Sequence, residues 1–128
     1  MVLDTLASWH DIVRRGDFAG LRQLLADDCV FHSPVVHTPQ RGKDLTAGYL
    51  SAAMQVLGNG TFRYVREVVG ERDAVLEFEV ELDGIHVNGV DLIHWNEAGS
   101  ITDFKVMVRP LKAINLLHQK MAAALAQR

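Results

Sequence analysis

Residues 89–109, GVDLIHWNEAGSITDFKVMVR, decide how this chain folds. They read as two strands, Ile85 to Trp95 and Ile101 to Val108, joined by a tight turn over Asn96 to Gly99. One carboxylate, Asp91, interrupts an apolar run of Val90, Leu92, Ile93 and Trp95. A carboxylate in such a strand either finds a partner or keeps its proton, because burial penalises the charged form. A protonated carboxyl is a hydrogen-bond donor, which is one way an enzyme holds a developing negative charge.

Working upstream, Ala74 to Leu82 alternates cleanly. Ala74, Leu76, Phe78, Val80 and Leu82 face one way and Glu77, Glu79 and Glu81 the other, so this strand has a buried and a wet face. Asp83-Gly84 is a strong hairpin signal. Thr61 to Val69 is rich in β-branched and aromatic residues and reads as one more strand. The first half reads as helical. Leu3 to Val13 carries apolar residues at helical spacing, with Asp4 able to cap it and Gly16 to end it. Asp17 caps a short second helix over 18–25, and Asp44 is placed to cap a third over 45–57. Between them Cys29 to Ser33 reads as a short strand stopped by Pro34, and 35–41 as a loop. After Pro110 a last helix carries Leu111, Ile114, Leu117, Met121 and Leu125 along one stripe. The order predicts an α+β fold: a cone-shaped, curved antiparallel sheet packed against N-terminal helices, with a C-terminal helix. A curved sheet closed by helices encloses a conical pocket.

At 128 residues the chain is expected to form one domain spanning 1–128. Its apolar share of 48% argues against disorder, and its net charge of -3 offers no basic stripe for nucleic acid. Cys29 is the single cysteine, so no internal disulfide can form, and it reads as a small buried hydrophobe. No run approaches the ~18 apolar residues of a membrane span. MVLDTLASWHDIVRRGD lacks the basic start and apolar core of a signal peptide. A cytoplasmic protein is the expectation. There is no HExxH, no CxxC pair and no glycine-rich phosphate loop, so neither a metal nor another cofactor is expected.

The helix ending at Gly16-Asp17, the run LLADDCVFHSP at 24–34, RGKDLTAGYL at 41–50, the Asp83-Gly84 hairpin and VDLIHWNEAGSITDFKVMV at 90–108 together resemble the SnoaL-like proteins of the nuclear-transport-factor-2-like superfamily. The resemblance covers nearly the whole chain. It implies the fold far more firmly than the chemistry, since that fold hosts isomerases, cyclases, hydrolases, dehydratases and non-catalytic binding domains. Ketosteroid isomerases of the same superfamily use an aspartate base just before a proline, a tyrosine on the first helix and an aspartic acid on a late strand. Asp91 stands at the place of that late acid. Ser33 stands before Pro34 in place of the base, and Trp9 replaces the tyrosine. Serine cannot serve as a carboxylate base, and an indole lacks the phenol's acidic donor. The resemblance therefore implies acid–base chemistry of another kind rather than ketosteroid isomerisation.

Strand alternation puts Val87, Gly89, Asp91, Ile93 and Trp95 on one face. Asp91 is the leading candidate for a catalytic acid or base. His32 is the candidate proton carrier, since a histidine titrates near neutral pH, and either His32 or Ser33 should enter the pocket. His37 belongs to the following loop, where pocket-mouth residues are common. Trp9, Trp95 and Phe104 are the aromatic residues expected to line the cavity. The inner parity of the last strand, Thr102, Phe104, Val106 and Val108, carries no charge, which favours a lipophilic small molecule. His94 falls on the opposite face from Asp91, with Val90 and Leu92. Those outer apolar residues suggest a homodimer through that face. His118 reads as a surface or interface residue. Three functions follow as candidates: a cofactor-independent enzyme, a non-catalytic lipophilic-ligand carrier, and a dimerising interaction module.

Overall fold

The computed structural model describes residues 2–126, with side chains from Thr5 onward. Its elements follow the expected order: α1 (Val2–Arg15), α2 (Phe18–Leu24), β1 (Leu25–His32), β2 (Gln40–Arg41), α3 (Lys43–Leu57), β3 (Arg63–Val69), β4 (Asp73–Leu82), β5 (Ile85–Trp95), β6 (Ile101–Arg109) and α4 (Leu111–Ala126). The strands form one curved sheet in the order β2-β1-β6-β5-β4-β3. From β3 to β6 the pairing is antiparallel, while β1 joins β6 in parallel. The sheet is therefore mixed. The parallel pair arises because β1 enters from the helices and borders the last strand rather than a sequence neighbour.

Three boundaries differ from expectation for local reasons. β1 begins at Leu25, immediately after α2, and takes in Asp27 and Asp28. The register to β6 slips between Leu25 and Val30, and both acids sit exposed in that bulge. The 35–41 loop contains the short strand β2, whose Gln40 and Arg41 pair with Phe31 and Val30. α3 is capped by Gly42, at φ 101, instead of by Asp44. Asp44 lies in the first turn and binds Arg22 instead. Asp17 caps α2 as expected, its side chain accepting from the Gly20 N–H at 2.9 Å. The Asp4 side chain lies outside the described residues.

β5 shows the alternation most cleanly. Val87, Gly89, Asp91, Ile93 and Trp95 are buried, and their neighbours are half-buried or exposed. The Asp83-Gly84 turn that sets its register to β4 has positive φ at both residues, 50 and 79, as a tight hairpin requires. Two apolar clusters stand on the inner face. One gathers Trp9, Leu21, Leu25, Phe31, Leu50, Trp95 and Phe104 under α1, α2 and α3. The other gathers Phe78, Val80, Leu82, Val87, Ala113 and Leu117 under α4. Tyr64 and Val106 touch both. The candidate site lies where the two clusters meet.

Candidate functional site

A cavity of about 260 Å³ takes its lining from both clusters. β1 contributes Phe31, with Ser33 just past its end; α1 contributes Trp9; β3, β4, β5 and β6 contribute Tyr64, Phe78, Asp91 and Phe104. Helices α3 and α4 close it with Tyr49, Leu50, Met54, Leu117, Met121 and Leu125. Its polar groups are few: Ser33, Tyr49, Tyr64, Asp91 and His118. No lysine or arginine appears among the described lining residues.

Asp91 is 6% exposed. Leu76 of β4 and Val106 of β6 flank it in register, so neither neighbouring strand offers a polar partner. The partner comes from β3. The Tyr64 hydroxyl donates to Asp91 Oδ2 at 2.7 Å, and the Trp9 indole N–H donates to the same hydroxyl oxygen at 3.1 Å. Three elements distant in sequence thus form one chain of donors, Trp9 to Tyr64 to Asp91. Among the described residues Asp91 makes its hydrogen bond through Oδ2 alone. Oδ1 has no protein partner and is not sealed from the cavity.

Burial drives the electrostatics. It pushes the Asp91 carboxyl up to about 7, and the Tyr64 hydrogen bond opposes that rise. Tyr64 moves well above the ordinary phenol value, first through burial, then through the nearby Asp91 charge and its hydrogen bond. Near neutral pH the protonated and ionised forms of Asp91 are thus both populated, while Tyr64 stays a hydrogen-bond donor. Protonated, Asp91 can donate to a ligand oxygen; ionised, it can accept a proton from a ligand.

Gly89 shapes the floor beside Asp91. It pairs with Phe78, and a Cβ on Gly89 would stand 2.3 Å from the tip of the Phe78 ring. Only a bare backbone lets that ring lie across β5. Phe78 in turn stacks on Phe62, with ring centres 5.2 Å apart.

The structure separates the expected site residues into two groups. Asp91, Trp9, Ser33 and Phe104 line the cavity. His32, His37 and Trp95 do not, which corrects those three expectations. Cys29 and Phe31 point inward, so His32 between Phe31 and Ser33 points out, where its Nε2 meets Asp103 Oδ1 at 2.9 Å. The geometry does not bring His32 to Asp91. His37 is exposed on the loop after Pro34. Trp95 has the right parity but is packed within the core cluster without reaching the cavity, with its indole N–H buried and unpaired. Ser33 Oγ accepts from the Val35 and Val36 N–H groups at 3.0 and 3.2 Å, an ST turn that occupies its lone pairs and leaves its proton to donate. His118, expected on the surface, is exposed but also lines the cavity. Tyr64 also lines the cavity, though in the sequence it stands only as one aromatic residue of the Thr61 to Val69 strand. The signal that points to it is the Phe62-Tyr64 pair at alternate positions, just ahead of the register slip between Tyr64 and Arg66.

Comparison with known proteins agrees with this architecture. The family model for the SnoaL-like domain matches residues 6–104. A steroid delta-isomerase of Pseudomonas aeruginosa is 35% identical, with 98% of this chain and 92% of that one covered at a TM-score of 0.92. An uncharacterised bacterial protein with a cystatin-like fold from Silicibacter pomeroyi is 36% identical over 93% of this chain and 83% of that one, TM-score 0.85. An NTF2-like protein of unknown function from Mesorhizobium loti shares the fold at 21% identity, TM-score 0.74, with coverage of 85% and 91%. No curated protein matched the sequence. With its curved sheet, its closing helices and a family match over most of its length, the chain belongs to the SnoaL-like family and shares its fold with NTF2-like proteins.

Proposed function

We propose that residues 1–128 act as one small-molecule-binding domain, in the cytoplasm, that holds a lipophilic ligand by its oxygen against Asp91 and Tyr64. The observation that carries this reading is the donor chain Trp9–Tyr64–Asp91 at the junction of an apolar cavity. A buried carboxyl that still carries its proton in a large share of molecules near pH 7 is suited to a carbonyl oxygen that gains negative charge. The chemistry this supports is cofactor-independent acid–base catalysis of the isomerase, cyclase, hydrolase or dehydratase class. The 35% identity to a steroid delta-isomerase supports an isomerase-type reaction on a ring-containing substrate.

Ser33 argues against isomerisation by a carboxylate base at that position, since its oxygen already accepts two backbone N–H groups. His118 is the lining residue best suited to move a second proton, and it takes the role expected of His32. If no second group reaches the ligand, the same cavity acts as a carrier. Native mass spectrometry of freshly purified protein tests the reading directly. A co-purifying lipophilic carbonyl compound is the expected finding. Conversion of that compound by wild type but not by Asp91→Asn identifies an enzyme, binding without conversion a carrier, and equal conversion by both removes Asp91 from the mechanism.

A second reading rests on the outer sheet face. Val68, Val75 and Met107 are 60%, 37% and 50% exposed there, beside half-buried Val90 and Leu92. They adjoin one another across the strands, with Val68 opposite Val75, Val75 opposite Leu92, and Val90 opposite Met107. An apolar row of this kind fits a homodimer formed face to face. A strict monomer in sedimentation at high protein concentration would remove that reading.

A further inference from the structure

We propose that the same cavity takes lipophilic ammonium ions as a second ligand class, with Asp91 as the counter-charge and the surrounding rings as the cation-accepting wall. The inference shares with the proposed function only the premise that this cavity is the ligand site. The cavity's inventory points to a cation. Asp91 is the one acidic residue of the described lining, which includes no lysine or arginine to compete. Oδ1 of Asp91 is open to the cavity and without a protein partner.

The rings form two groups that meet at the carboxyl. Trp9 packs on Phe104 with ring centres 4.9 Å apart, and Phe31 lies 6.2 Å from Phe104. On the other side Tyr64 and Phe78 each pack on Phe62, at 5.1 and 5.2 Å. The Trp9 to Tyr64 hydrogen bond joins the groups beside Asp91. Ring faces attract cations, most strongly where water is excluded, and a carboxylate at the same point supplies the opposing charge. Tyr64 stabilises the ionised carboxylate by donating to it, so the ammonium is left Oδ1.

The two ligand classes select opposite states of one group. A ketone oxygen needs the protonated carboxyl as donor. An ammonium needs the carboxylate. The other titratable lining groups that share the cavity are Tyr64 on β3, Tyr49 on α3 and His118 on α4, while β4 and β6 present only Leu76 and Val106 beside Asp91.

The test uses one hydrocarbon body with three polar ends: amantadine, adamantanone and adamantane carboxylate, titrated calorimetrically into the full chain. Amantadine is expected to bind best at about pH 8 and to weaken about tenfold at about pH 6, as Asp91 gains its proton. Adamantanone is expected to show the opposite trend, and the carboxylate to bind weakly throughout. In Asp91→Asn the preference for amantadine over adamantanone should vanish while adamantanone still binds, which also reports that the variant is folded. Ketone binding without amine binding overturns this inference and leaves the proposed function standing. Amine binding without ketone binding does the reverse. An amine preference that survives in Asp91→Asn, or rises as pH falls, overturns the assignment to Asp91. Failure of all three to bind overturns both readings.

Discussion

Glu77 and Asp91 are carboxylates on adjacent strands of one sheet, and the sheet drives them in opposite directions. Glu77 lies opposite Val90, the residue before Asp91. On the outer face, Asn88 and Arg66 donate to Glu77 and hold its carboxyl below the usual value. On the inner face, burial raises Asp91 to about 7 despite the Tyr64 hydrogen bond. The two differ in which side of the pleat they occupy, and therefore in whether water can solvate the charge. A side chain's chemistry here is set less by its residue type than by the face its parity assigns.

The comparison breaks most visibly at Asp91. Its pKa is raised on folding from 3.8, so the folded protein holds this proton more tightly than the unfolded chain does. That contribution is complete below about pH 4 and is lost as pH rises through about 7. Asp91→Asn keeps an acceptor for Tyr64 but cannot ionise. Urea unfolding should show the stability of the variant gaining on wild type by roughly 4 kcal/mol between about pH 4 and pH 8. Parallel pH curves for the two proteins would mean that Asp91 is solvated.

Gly89→Ala comes next. The new methyl meets the Phe78 ring, and overpacking of this kind costs about 2–3 kcal/mol. Combining it with Phe78→Leu should recover part of the loss, whereas simple additivity would show that the ring does not lie across Gly89.

Tyr64→Phe removes the donor to Asp91 and leaves the Trp9 indole N–H without its acceptor, a loss of about 1–2 kcal/mol. Because that hydrogen bond lowers the Asp91 pKa, its titration should move upward in the variant. Carboxyl carbon shifts of Asp91 by NMR read this directly, and a downward move would contradict the donor chain. Glu77→Gln is the smallest change. Glu77 is lowered, so its contribution is present above its ordinary value of 4.5 and is lost as pH falls. The variant should be slightly less stable than wild type near neutrality and converge with it as pH falls through the carboxylate range. A shift in ligand binding at neutral pH would show that the two faces communicate.

Much of the fold was legible because periodicity reports one-dimensional facts. The parity of β4 and β5, the Asp83-Gly84 hairpin and the capping by Asp17 all rest on residues within a few positions of one another. Asp91 stood out for the same reason, as one acid in an apolar row. His32 shows the limit. Alternation defined two faces for β1, but the neighbouring strand β6 decided that Cys29 and Phe31 face inward, which brings Phe31 and Ser33 to the cavity. Trp95 had inward parity and still missed the cavity, because parity says nothing about position along the cone.

The sequence by itself determined the α+β order, the register of the long hairpin and the placing of a carboxylate on a buried face, since each follows from local sterics and from hiding apolar surface. Only the tertiary structure decided what that carboxylate meets. Tyr64 is 27 residues from Asp91 and 55 from Trp9, and β3 has no buried row to mark its inward side. The physical reason is that a buried polar group takes its partner from whatever element packs over it, and packing is a property of the assembled layers.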